Sequence, residues 1–165
     1  MTIDRDLECI ARQEAALHFD HFNLETAWEV GSLIQKMASS RKLGVVIDIT
    51  LHSMPAFYAA LPGTSADNAN WVRRKRNLVL RFLTSSYAIG LQLQRQGQTV
   101  EQKWGLAPAD FAPHGGSFPI HVRKTGVIGA ITVSGLPQRE DHALVVEALA
   151  IYLKQDPLEF RLPES

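Results

Sequence analysis

The sequence predicts an α+β domain in which two β-hairpins form one antiparallel sheet and helices pack on it. Three observations carry that expectation. Strand-type runs come in adjacent pairs, residues 45–50 with 55–61 and residues 114–122 with 127–135. Segments of helical period separate the pairs, giving the order α-α-β-β-α-(α)-β-β-α. No long βαβ alternation is present to support a doubly wound sheet. With 165 residues, 45% of them hydrophobic, the chain suits one well-cored domain better than two. A single domain over 1–165 is therefore expected. The last residues, 157–165, hold two prolines and read as an extended tail.

Each element has a local cause. Residues 3–19 place Ile3, Leu7, Ile10, Ala11 and Leu17 on one stripe of a helix, with Thr2 available as its N-cap. Asn23 can cap a second helix over 24–40, where Ala27, Val30, Leu33, Ile34 and Met37 recur at helical spacing. The β-branched run VVIDIT follows Gly44, and PAFYAAL follows with Pro55 at its entry, where a missing N–H does least harm. Residues 62–70, PGTSADNAN, read as a ligand-covering loop. A third helix from about 67 breaks at Ser85-Ser86, resumes over 87–95 and closes at Gly97. A short helix over 99–106 and a proline-marked loop precede the second hairpin. The final helix spans 138–153.

Composition excludes several classes. Seventeen acidic and seventeen basic residues balance to zero net charge, whereas nucleic-acid binding needs surplus basic surface. The run Arg73 to Arg76 then reads as a solvated helix face. No apolar run approaches the length of a membrane span, and no signal peptide opens the chain, so the cytoplasm is the expected location. Cys9 is the lone cysteine, with no internal disulfide partner. The near-neutral charge leaves little to keep copies apart and is compatible with self-association, with Trp28 and Trp71 as aromatic interface candidates.

No catalytic machine is recognisable, so no catalytic residue is assigned and binding is favoured over catalysis. Gly115-Gly116 can present backbone N–H groups to an anion, or can simply let the chain enter its hairpin. Asp141 and His142 occupy the first turn of the last helix, where a carboxylate is favoured by the helix dipole. The competing reading is a helix-start acid beside a surface histidine. Ser134 lies in VSG, which lacks the G-x-S-x-G elbow of a hydrolase. His18 and His21 lack a third ligand, so no metal is assigned. Lys75 falls near the centre of the apolar arc of the third helix. It either snorkels along its methylenes, at the surface or an interface, or is buried against a carboxylate, with Asp48 the chosen partner.

The segments GVVIDI, NWVRRKRN, TSSYAIG, HGGSFPI and GAITVSGLPQREDH stand in an order and spacing that resembles the GlcG/HbpS-like "haem-degrading" family. That domain also forms the C-terminal part of PduO-type proteins. The resemblance covers about residues 4–152 and is nearest to a stand-alone cytosolic branch. It implies a profilin-like fold, a central antiparallel sheet flanked by helices, and homo-oligomeric assembly. Haem or a related tetrapyrrole enters as a cofactor through the resemblance alone, and no residue is assigned as an iron ligand.

Composition, motifs and resemblance together point to a small-ligand-binding or accessory protein. Its runner-up is an enzyme binding or degrading a tetrapyrrole, and a third reading is a protein-interaction module. The pocket is expected between residues 62–70, the helix start after them and the HGGSFPI turn. Arg74, His114, Gly115, Gly116 and Ser134 should line it, with Lys75, Asp141 and His142 as secondary candidates.

Overall fold

A computed structural model describes residues 2–164. Helices α1 (Thr2–Ala16) and α2 (Leu24–Ser40) lead into strands β1 (Val46–Leu51) and β2 (Met54–Ala60). Helices α3 (Ala66–Phe82), α4 (Ser86–Gln96) and α5 (Val100–Trp104) follow. Strands β3 (Ser117–Val122) and β4 (Gly126–Ser134) and helix α6 (Gln138–Tyr152) complete the order. The four strands form one antiparallel sheet in the order β2-β1-β4-β3. The two hairpins are thus joined through β1 and β4, and the α+β expectation is met.

Strand alternation gives the sheet two chemically different faces. Ile49, Ile131 and Phe118 stand in register across β1, β4 and β3. They share a core with Ile47, Val133 and Ile120, covered by Val30 and Ile34 of α2 and Val145 and Leu149 of α6. On the opposite face the row is Asp48, Thr132 and Ser117, all buried. Its polar groups pair locally, Ser117 with Thr132 at 2.8 Å and the Thr50 hydroxyl donating to Asp48 at 2.8 Å. Helix α3 packs on this polar face, chiefly against β4 and β3. A cationic helix therefore lies over an acid- and hydroxyl-bearing sheet.

Caps and turns set the joints. Asn23 caps α2 by accepting from the Thr26 N–H at 2.9 Å. Ser85 caps α4, and Gly97 ends it in the left-handed region. Three expectations need correction. Helix α1 stops at Ala16, and Thr2 is its first helical residue rather than its cap. Phe19 instead pairs beside β3, its N–H donating to the His121 carbonyl at 2.8 Å. Residues 62–70 are half helix, because Asn68 accepts from the Ser65 N–H at 2.9 Å and α3 starts at Ala66. The expected extended tail contains a turn of 3-10 helix, Pro157–Phe160, with Phe160 buried. Gln13 holds that turn by donating to the Phe160 carbonyl at 2.7 Å.

Candidate functional site

Helices α3 and α6 begin side by side at the C-terminal end of β4. Between them lies a partly open pocket of about 250 Å³. Asp67, Asn68, Trp71 and Lys75 come from α3, and His114 from the turn before β3. Ser134, Gly135 and Leu136 come from the end of β4, Gln138 and Asp141 from α6.

Its floor is an ion pair. Lys75 is 3% exposed, and its ammonium donates to Asp141 at 2.9 Å and to the Val133 carbonyl at 3.2 Å. Asp141, 1% exposed, also accepts from the Leu136 N–H at 3.0 Å. Burial pushes the lysine pKa down and the aspartate pKa up, and their mutual attraction opposes both shifts. Snorkelling is therefore excluded, and Asp48 is not the partner. Asp48 is taken by Arg76 at 3.0 Å. Neighbours on a helix point about 100° apart, so Lys75 reaches towards β4 and α6 while Arg76 reaches β1.

His114 forms one wall, its ring edge-on to Trp71 at a centroid distance of 5.3 Å. Its Nδ1 is buried and has no hydrogen-bond partner among the described residues. Desolvation, then the charges of Lys75 and Arg74, lower its pKa. Ser134 is 4% exposed, and its hydroxyl has no partner among the described residues.

The two glycines belong to the framework. The Gly115 N–H donates to the Gln138 side chain at 3.1 Å, so it does not offer itself to an anion. Gly116 has φ of 134°, and a Cβ there would lie 2.3 Å from the Val133 carbonyl and 2.8 Å from the Lys75 ammonium. Its missing side chain is what lets the ion pair form beneath the turn.

Of the residues predicted to line the pocket, His114 and Ser134 do so, joined by Lys75 and Asp141. Arg74 turns away. Its guanidinium donates to the Pro108 carbonyl at 2.7 Å and stacks 4.4 Å over Trp71, facing a neighbouring cleft of about 390 Å³. Arg73 likewise binds Asp110, so the first two residues of the basic run brace the 107–113 loop while Arg73 stays partly solvated. His142 is no surface residue. It is fully buried beside Tyr87 and Phe118, with Nε2 2.7 Å from the Gln13 oxygen. His18 stacks on His121 at 3.8 Å. Among the described residues no group of three His, Cys, Asp or Glu side chains is placed to hold a metal. Asn68 and Gln138 escaped the sequence reading, although both stand at helix starts, where capping residues concentrate.

A haem needs an axial ligand directed into an apolar slot. The pocket instead sets ionic, amide or hydroxyl groups on several sides, and its volume lies below the usual range for ligand sites, roughly 300–1,000 Å³. The lining of this pocket does not fit a haem.

Fold and site together define a small α+β protein with a polar pocket where two helix starts meet the end of a central strand. The model of the family described as "Haem degrading protein HbpS-like" matches residues 22–150, and the chain belongs to that family. It is 65% identical over 162 residues to a UPF0303 protein of Rhizobium etli, covering 98% of each chain. A UPF0303 protein of Acidobacterium capsulatum is 50% identical over the full length of both. Among solved structures, the Ybr137w protein superposes with a TM-score of 0.84 at 29% identity, covering 90% of this chain and 87% of that one. HbpS gives 0.63 at 16% identity over 82% and 92%. PduOC, solved as a heme complex, gives 0.67 at 15% over 78% and 93%. The last two show a shared fold. No helix among the described residues is long and apolar enough to cross a membrane.

Proposed function

We propose that this chain is a cytoplasmic, homo-oligomeric protein of one domain that binds a small molecule in the pocket above Lys75 and Asp141. The observation that supports this reading is unspent hydrogen-bonding capacity beside a desolvated ion pair. His114 Nδ1 is buried without a partner among the described residues, as buried polar groups rarely are, and the Ser134 hydroxyl, which water still reaches, bonds to no other group among them. A ligand that satisfied them would recover that cost. The reading involves no nucleic acid and no membrane. Native protein analysed by mass spectrometry for co-purifying small molecules should show a species that disappears from a Trp71→Ala, Ser134→Val double variant. Equal small-molecule content in both proteins would overturn the reading.

A second reading, an enzyme acting on haem or a related tetrapyrrole, is favoured by the description of the matched family. Haemin titration separates the two. A saturable Soret shift followed by spectral loss on adding a reductant would select the enzyme. An unchanged haemin spectrum, with partner capture from cell extract, would select a third reading, a protein-interaction module.

A further inference from the structure

We infer that the pocket selects a small monocarboxylate, held by hydrogen-bond donors from Asn68, Gln138, Lys75 and Ser134. The inference rests on the proposed ligand-binding role and adds the chemical class. Two side-chain amides set the polarity. The Asn68 oxygen accepts from the Ser65 N–H at 2.9 Å, and the Gln138 oxygen accepts from the Gly115 N–H at 3.1 Å. A backbone N–H can meet only the carbonyl end of a carboxamide, so these two bonds fix both orientations. Each amide is left with an NH₂ group that has no partner among the described residues.

The floor adds to the same sign. Lys75 spends two of its ammonium protons on Asp141 and the Val133 carbonyl, leaving the third. Ser134, nine-tenths buried, adds a hydroxyl donor. Both oxygens of Asp141 already accept a bond, one from Lys75 and the other from the Leu136 N–H, and the His114 ring contributes at most one acceptor nitrogen. Asp67 is exposed at the rim, where solvent screens it. First-turn residues of both α3 and α6 line the space, and a helix start favours a negative group nearby.

Size and charge narrow the class. At roughly 30 Å³ per water-sized group, 250 Å³ admits a molecule of roughly eight heavy atoms. The cation on the floor is already paired with Asp141, so no spare positive side chain there matches the second charge of a dianionic phosphate. The Trp71 ring and Leu136 offer apolar contact for a short carbon chain.

The test compares propionate with its neutral isostere propionamide, titrated by NMR to about 10 mM at constant ionic strength. Propionate should bind at least about tenfold more tightly, as charge-assisted hydrogen bonds require. Asn68→Asp and Gln138→Glu turn each free donor into an acceptor while keeping the oxygen that the backbone N–H needs. Both place a carboxylate at a helix start, where it is tolerated, so the melting temperature should hold. Each variant should weaken propionate about tenfold. Equal binding of propionate and propionamide, or wild-type affinity in both variants, overturns the carboxylate assignment. If that occurs while native mass spectrometry still finds a ligand lost in the Trp71→Ala, Ser134→Val protein, only the chemical class has failed. If no ligand is lost there either, the pocket reading falls with it.

Discussion

Lys75 shows how much energy a single buried position can concentrate. With 3% of its surface exposed, the lysine loses most of its hydration, and the Asp141 carboxylate 2.9 Å away offsets that loss. Lys75→Met strands that carboxylate and should cost about 3–5 kcal/mol in urea unfolding. Lys75→Met combined with Asp141→Asn should recover much of the loss, because asparagine still accepts the Leu136 N–H and no charge is stranded. Unchanged stability in the single variant would show that the pair contributes nothing. The sequence revealed that Lys75 needed a carboxylate if buried, since a lysine at the centre of an apolar arc has few alternatives. It could not reveal which carboxylate, because that depends on the in-plane order β2-β1-β4-β3 and on where α6 starts.

His142 supplies a second residue-scale expectation. Gln13 donates through its NH₂ to the Phe160 carbonyl, so its oxygen faces His142 and takes the Nε2 proton. The ring is then a neutral tautomer with Nδ1 orphaned in the core. Burial, then the charge of Arg139, pushes its pKa down to about 3 from 6.5. Below pH 6.5 the unfolded chain takes up a proton that the folded chain refuses until about pH 3. This contribution to stability is complete above that window and falls as the pH drops through it, by roughly 1.4 kcal/mol per pH unit. Glu14 and Asp141, whose pKa values burial raises, act in the opposite direction. The measurement is therefore the difference in urea stability between wild type and His142→Gln from pH 7 to pH 4. A pH-independent difference would exclude the buried neutral histidine.

At the scale of elements, hairpins and caps were legible because their signals are local. Val45 to Thr50 is β-branched, Asn23 and Ser85 cap where capping side chains stand, and Gly97 closes α4. The sequence failed where long-range packing overrides local preference. Phe19 left its helical pattern to pair beside β3, and the proline-flanked C-terminal segment became part of the core. Two substitutions measure these two kinds of cause. Ser85→Ala removes the N–H acceptor at the start of α4 and should cost about 1 kcal/mol. Phe160→Ala empties a core position contributed by the supposed tail and should cost about 3–5 kcal/mol. Thermal or urea unfolding decides both, and a near-zero cost for Phe160→Ala would return residues 157–164 to the status of a tail.

For the whole molecule, the open edge of the sheet determines the expected assembly. Among the described residues strand β2 pairs only with β1, so its outer N–H and C=O groups form an open edge of the kind that proteins cover or pair. Apolar groups stand on both sides of it. Trp28, 67% exposed, lies edge-on to Phe57 of β2 with Leu24 one helical turn away, while Tyr58 projects from the opposite face of the strand at 53% exposure. Exposed tryptophan and tyrosine flanking an open edge have the composition of an interface centre, and zero net charge offers little repulsion between copies. Trp71, the other sequence candidate, is instead occupied by Arg74 and His114. Light scattering at micromolar concentration should therefore show an oligomer. Trp28→Glu should shift it towards monomer, because a charge at the interface must be desolvated without a partner. Trp71→Phe should leave the subunit number unchanged. A monomeric wild type, or an oligomer that withstands Trp28→Glu, would move the contact away from the β2 edge.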